Sequence, residues 1–211
     1  MKKITSIFLI AILYGCGSSV SPVDQGLIDQ VMHIGNGSEP QGLDPHIVTG
    51  VPEHHLLITM CEGLTISNPE GGANLPGMAE SWDISEDGRT YIFNIRKDAK
   101  WSNGDDFTAE DIVWSWMRVL TPSLGSQYPD MLYYLVGAED FNTGVITDFS
   151  EVGVKALDNK TLEVNLINPT PFFLGLLSHY STWPVHKETV LKFGEIDDRP
   201  VSYTHLRAHE T

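Results

Sequence analysis

The sequence predicts a mixed α/β lobe of short strands and short helices, not a doubly wound parallel sheet. Three observations predict it. Two stretches alternate apolar and polar residues about turn signals and read as β-hairpins: 82–95, turning at Glu86-Asp87-Gly88, and 152–167, turning at Asp158-Asn159-Lys160. The stretch after Thr108 places Ile112, Val113, Trp116 and Leu120 on one face of a 3.6-residue repeat, so it forms a helix that packs against something apolar. Strands and helices alternate along the chain without a regular βαβ repeat.

Composition narrows the function classes. The formal charge is −15, from 13 basic and 28 acidic residues, a surface that repels phosphate backbones and anionic headgroups and argues against nucleic-acid binding. Apolar residues make up 41% of the chain, with five Trp, eight Phe and seven Tyr, enough for a sizeable core.

In chain order, Met1-Lys2-Lys3 is a basic start and 4–13 an apolar run too short to span a bilayer, which reads as an export signal. Loss of Lys2 and Lys3 with it takes the charge from −15 to −17. Residues 17–22 read as a flexible tether and 27–34 as a strand. Residues 47–51 read as a short extended piece stopped by Pro52, which fits the first turn of a helix running to about Glu62. Cys61 ends an apolar run and reads as a buried, inert thiol. Residues 65–72 read as a strand ending in a turn. Thr108 is a natural N-cap, Asp111 at N3 can close a capping box, and Phe107 and Ile112 sit where a hydrophobic staple lies. Residues 131–138 and 171–177 read as apolar helices, and 187–193 as another short one.

The residues of 79–122, AESWDISEDGRTYIFNIRKDAKWSNGDDFTAEDIVWSWMRVLTP, fix residue types over more than forty positions. They resemble the extracellular solute-binding proteins that serve peptide ABC transporters, most of all the oligopeptide-binding proteins, and the likeness runs from about Val31 to about Pro200. Leu43-Asp44-Pro45-His46 resembles that family's LDP segment, and Leu13-Tyr14-Gly15-Cys16 resembles the lipobox of bacterial lipoproteins, in which the cysteine is acylated. If Cys16 carries lipid, Cys61 has no partner for an internal disulfide.

The resemblance implies a periplasmic-binding-protein-like lobe of the type II, peptide-binding kind. Its parts are a signal peptide (1–15), a lipid-anchored tether (16–26), a first segment of lobe I (27–61), an inserted α/β subdomain (62–186) and a return to lobe I (187–200), with the second lobe missing. It implies capture of an oligopeptide in an interlobe cleft, permease subunits and a lipid-held membrane as partners, a monomer, and a place in the bacterial envelope. Ligands of nickel-complex, haem or oligosaccharide type are the alternatives within the family; a secreted hydrolase or a ligand-free structural lipoprotein are the alternatives outside it.

Carried onto this sequence, Thr49, Gly50 and Val51 lie beside the peptide and pair with its main chain, and Tyr128 lines the site. Main-chain pairing suits a ligand of any sequence, and Gly50 has no side chain to obstruct it. Without the resemblance, Gly50 reads as a turn glycine and Tyr128 as a packed loop aromatic. No cofactor, metal centre or catalytic group is expected. His54 and His55 diverge by about 100° on a helix and read as surface residues. Asp105, Asp106, Glu110 and Asp111 are explained by the positive end of the following helix. Asn36-Gly37-Ser38 fits a glycosylation triplet that a bacterial export signal makes irrelevant. Residues 201–211 depart from the pattern and read as foreign to the protein, their His205 and His209 with them. An N-terminal fragment of this kind is expected to bind peptide poorly by itself.

Overall fold

The computed structural model describes residues 20–194 and 196. The export signal, Cys16 and residues 201–211 lie outside the described residues. The chain divides into two units, Met1–Gly37 and Ser38–Thr211. In the first, helix α1 spans Pro22–Asp29, and this corrects two expectations: part of the tether is helical, and the 27–34 strand is absent. Local chemistry explains the helix. Ser21 Oγ accepts the Asp24 N–H at 3.1 Å, Pro22 pre-sets the first turn, and Gln30 leaves the helix in the left-handed region. Residues 31–34 pair with no strand among the described residues.

The second unit carries helix α2 (Val51–Met60) and a two-stranded ribbon of β1 (Thr65–Ile66) and β2 (Leu75–Pro76). Strands β3 (Ala79–Ile84), β4 (Thr90–Ile95), β5 (Val154–Ala156) and β6 (Thr161–Asn165) form an antiparallel sheet in the order β3-β4-β6-β5. Helix α3 (Ala109–Leu120) covers it, and α4 (Ala138–Asn142), α5 (Phe173–Leu176) and α6 (Lys187–Phe193) complete the unit. The expected mixture of α and β elements is observed, and both hairpins form.

The turns and the core follow from the sequence pattern. At Gly88, φ is +67°, and Asp87 Oδ1 accepts from Ser85 Oγ at 2.6 Å. Tyr91, Phe93 and Ile95 of β4 and Leu162 and Val164 of β6 alternate inward, onto Ile112, Trp116, Val119 and Leu120 of α3; Phe93 and Trp116 are fully buried. Ile84 is exposed at the turn end of edge strand β3, where it pairs with Tyr91.

Helix α3 begins as expected. The Asp111 carboxylate takes the Thr108 N–H at 2.7 Å and its hydroxyl at 3.0 Å, closing the capping box. Asp111→Ala is expected to cost about 1 kcal/mol in urea unfolding, and an unchanged midpoint would remove the cap from the account. The other acids do more than face a helix end: Asp106 pairs with Lys100 at 2.8 Å and Asp105 with His186 at 3.1 Å.

Three further expectations are corrected. Residues 131–138 are not one helix: a 3-10 turn at Pro129–Leu132 precedes α4. Between them Val136 N–H donates to Asn165 O at 3.0 Å and Tyr134 O accepts Ile167 N–H at 2.9 Å, so this main chain is committed to β6 and its exit. Helix α5 is only four residues long. Cys61 is exposed, because the chain leaves α2 there in an extended conformation; the protein around it still raises its thiol pKa by desolvation.

Candidate functional site

The site rests on a buried polar strut. Asp44 and His46 in the loop before α2 and Arg118 in α3 are all almost fully buried. Arg118 grips Asp44 bidentately, Nη2 to Oδ2 at 2.7 Å and Nη1 to Oδ1 at 3.1 Å, and its Nε donates to Ile196 O at 2.9 Å. Arg118 Nη1 also stands 2.9 Å from His46 Nδ1, while His46 Nε2 lies 2.8 Å from Trp183 O. The carbonyl accepts only and the guanidinium donates only, so His46 is the neutral Nε2–H tautomer. Burial, then the Arg118 charge, push its pKa down to about 4.

Asp44 O accepts the N–H groups of Ile47 and Val48, both at 3.1 Å, and so turns the chain. The extended piece is therefore shorter than 47–51. Ile47 lies in the turn, Gly50 is extended at φ −86° and ψ 157° as the N-cap of α2, and Val51 is already helical. Among the described residues, the main-chain N–H groups of Thr49, Gly50 and Val51 and the C=O of Thr49 have no hydrogen-bond partner, whereas Gly50 O accepts His54 N–H at 3.0 Å. Thr49 and Val51 are exposed.

Glu53 supports this segment from beneath. It is buried, its Oε1 accepts the Gln41 N–H at 2.6 Å, and a Cβ on Gly50 would collide with its carboxylate. A side chain at Gly50 would have to shift the Glu53 carboxylate, which is held by the Gln41 N–H.

Aromatic rings form the neighbouring wall. Val48 and Tyr128 both pack on a cluster of Leu57, Tyr180 and Trp183. Tyr128 meets the His179 ring edge-on at 5.2 Å, His179 lies 4.2 Å from Tyr180, and His54 lies 5.6 Å from Tyr180. The Tyr180 phenol is pushed up to about 12, first by burial, then by Tyr128 and Glu53. A close approach at Gly63, where a Cβ would collide with the Trp183 indole, seats this wall.

Of the four residues expected at the site, Tyr128 packs on this cluster directly, while Thr49, Gly50 and Val51 are only continuous in sequence with Val48, which packs on it. His54, joined to that wall by its ring, is half-buried, and only His55 is a plain surface residue. Among the described residues no group of three or more His, Cys, Asp or Glu is placed to hold a metal ion. Sequence reasoning missed Glu53, His179, Tyr180 and Arg118. Arg118 alone had a signal, a cation between Met117 and Val119 in the apolar second half of its helix. What the arrangement offers a ligand is open main-chain donors and an acceptor beside ring faces.

Residues 75–204 match the model of the bacterial extracellular solute-binding proteins, family 5 (middle). The chain is 46% identical over 162 residues to the periplasmic oligopeptide-binding protein OppA of Escherichia coli, covering 76% of this chain and 29% of that protein. It is 38% identical over 198 residues to the OppA of Haemophilus influenzae, covering 92% and 36%. The crystal structure of Haemophilus influenzae OppA in complex with the peptide RPPGFSPFR superposes with a TM-score of 0.71 at 41% identity, over 76% of this chain and 31% of that one. The chain thus spans about a third of the length of these relatives.

Proposed function

Since this chain belongs to the bacterial extracellular solute-binding proteins of family 5, we propose that it carries part of the peptide-binding face of the receptor of an ABC importer. The observation that carries the reading is that the N–H groups of Thr49, Gly50 and Val51 and the C=O of Thr49 are unpaired among the described residues, beside the ring wall of Tyr128 and Tyr180. An extended peptide adds to such an edge through N–H and C=O groups that every peptide has, which gives affinity without demanding a side-chain sequence. The OppA relatives are named for the same ligand class.

In this reading segments 27–61 and 187–200 belong to one lobe and 62–186 to a subdomain inserted in it. A second lobe closes on the peptide by hinge motion, and the closed receptor docks on permease subunits as a monomer. Acylation at Cys16 holds it at the envelope. The groups named act by binding, not by covalent chemistry.

Two measurements test the reading. Incubating the full-length protein with a mixed peptide pool should return intact bound peptides; recovery of fragments would make it a hydrolase. Gly50→Ala should weaken peptide binding about tenfold or more, because the new methyl must displace Glu53 and shift donors worth about 1 kcal/mol each. Thr49→Ala, which leaves the main chain in place, should change affinity little. Calorimetry showing wild-type affinity for Gly50→Ala would sink the main-chain pairing.

A further inference from the structure

We propose that His46 and His179 are positioning residues for this wall: both hold the 180–183 turn in place only as neutral imidazoles, so the ligand grip weakens as the pH falls. The part about the ligand rests on the receptor reading above. The part about the turn rests on hydrogen-bond direction.

Each histidine uses Nδ1 as an acceptor from a partner that can only donate. At His46 the partner is the Arg118 guanidinium, 2.9 Å away, and Nε2–H is already committed to Trp183 O. At His179 the partner is the main-chain N–H of Ser181 at 3.3 Å, with the Ser181 hydroxyl at 2.8 Å. His179 is thus the N-cap of the 3-10 turn Tyr180–Thr182. A second proton on either Nδ1 would point at a donor. The Ser181 hydroxyl can rotate to accept, but the main-chain N–H cannot, and the cap is lost.

The two contacts hold opposite ends of one short segment. Between them Tyr180 packs on Leu57, Tyr128 and His54, and Thr182 O accepts the Trp116 indole N–H at 2.8 Å. Loosening 180–183 therefore removes the backing of Val48 and Tyr128 together.

The surrounding charges favour the neutral forms on balance. His179 faces His54 from α2, which opposes a second charge, and Asp130, which favours it but is exposed to water; Tyr128 and Tyr180 complete its surroundings. Burial first, then His54, lower its pKa. Around His46, Arg118 opposes protonation; Asp44 favours it, but its oxygens are occupied by Arg118 and by the His46 N–H. His186 differs, since Asp105 and Glu188 stand 3.1 and 3.4 Å from its Nε2, and it lies outside the proposal.

The experiment is amide hydrogen exchange on the full-length protein at pH 7, 6 and 5, corrected for intrinsic rates, in parallel with affinity for an alanine-based pool of tri- to pentapeptides. Protection of the Thr182 and Trp183 amides, bonded to His179 O and Tyr180 O, should fall about tenfold or more per pH unit below ~6.5. Peptide affinity should fall with it. His179→Asn keeps an N-capping oxygen that does not titrate and should make the response shallower, leaving the part that His46 carries. Unchanged protection of the turn between pH 7 and 5, a response as steep in His179→Asn as in the wild type, or a peptide affinity independent of pH would each overturn the proposal. An acid response of the turn with no peptide bound at any pH would leave the positioning role standing and remove the receptor reading instead.

Discussion

Arg118→Met is expected to destabilise the protein by about 3–5 kcal/mol, the loss that follows when one partner of a buried ion pair is removed and the other is left in place. The Arg118 side chain has no exposure and that of Asp44 only 7%, so water cannot replace the guanidinium. The substitution also strips a donor from His46 Nδ1 and from Ile196 O. The cost lies in the orphaned carboxylate more than in the lost attraction, because both charges were desolvated on folding. Adding Asp44→Asn to the Arg118→Met protein should therefore recover most of the loss. Urea unfolding followed by tryptophan fluorescence measures both. A single variant within about 1 kcal/mol of the wild type would show that the strut carries no weight.

Acid should weaken the whole fold through His46, independently of any ligand. Its folded-state pKa of about 4 lies below the ordinary 6.5, so the unfolded chain takes up a proton that the folded chain refuses. Stability from this group is complete above pH 6.5, declines as the pH falls from 6.5 to 4, and changes no further below that. At 1.36 kcal/mol per pH unit, the full window is worth about 3 kcal/mol. His46→Gln should be less stable at pH 7, since its single amide cannot hold both an acceptor at the Nδ1 position for Arg118 and a donor to Trp183 O, yet it should lose about 3 kcal/mol less than the wild type between pH 7 and 4. Parallel stability curves for the two proteins over that range would refute the assignment.

Local pattern was a good guide where neighbours in sequence are also partners in space. Both hairpins, the Thr108–Asp111 capping box and helix α6 are of this kind, since each is closed by side chains or turn residues a few positions apart. The failures have the opposite character. Residues 131–138 have an apolar run fit for a helix, but Tyr134 and Val136 give their main chain to β6 and its exit, some thirty residues away in sequence. Residues 27–34 are apolar enough for a strand, but Ser21 and Pro22 start a helix and nothing described offers 31–34 an edge. At the site, Gly50 and Tyr128 were named from a likeness, which could not show that Glu53 fills the space under Gly50, or that His179 and Tyr180 carry Tyr128.

By itself the amino-acid order determined the class of fold, the hairpins, the principal helix with its cap and the family to which the chain belongs, because these depend on periodicity, turn chemistry and residue types within reach of one another. Only the tertiary structure decided that Asp44, His46 and Arg118 share one buried strut and that rings from three distant segments meet behind Val48. Burial and hydrogen-bond direction are properties of assembled neighbours, and the partners here are separated by about fifty residues or more.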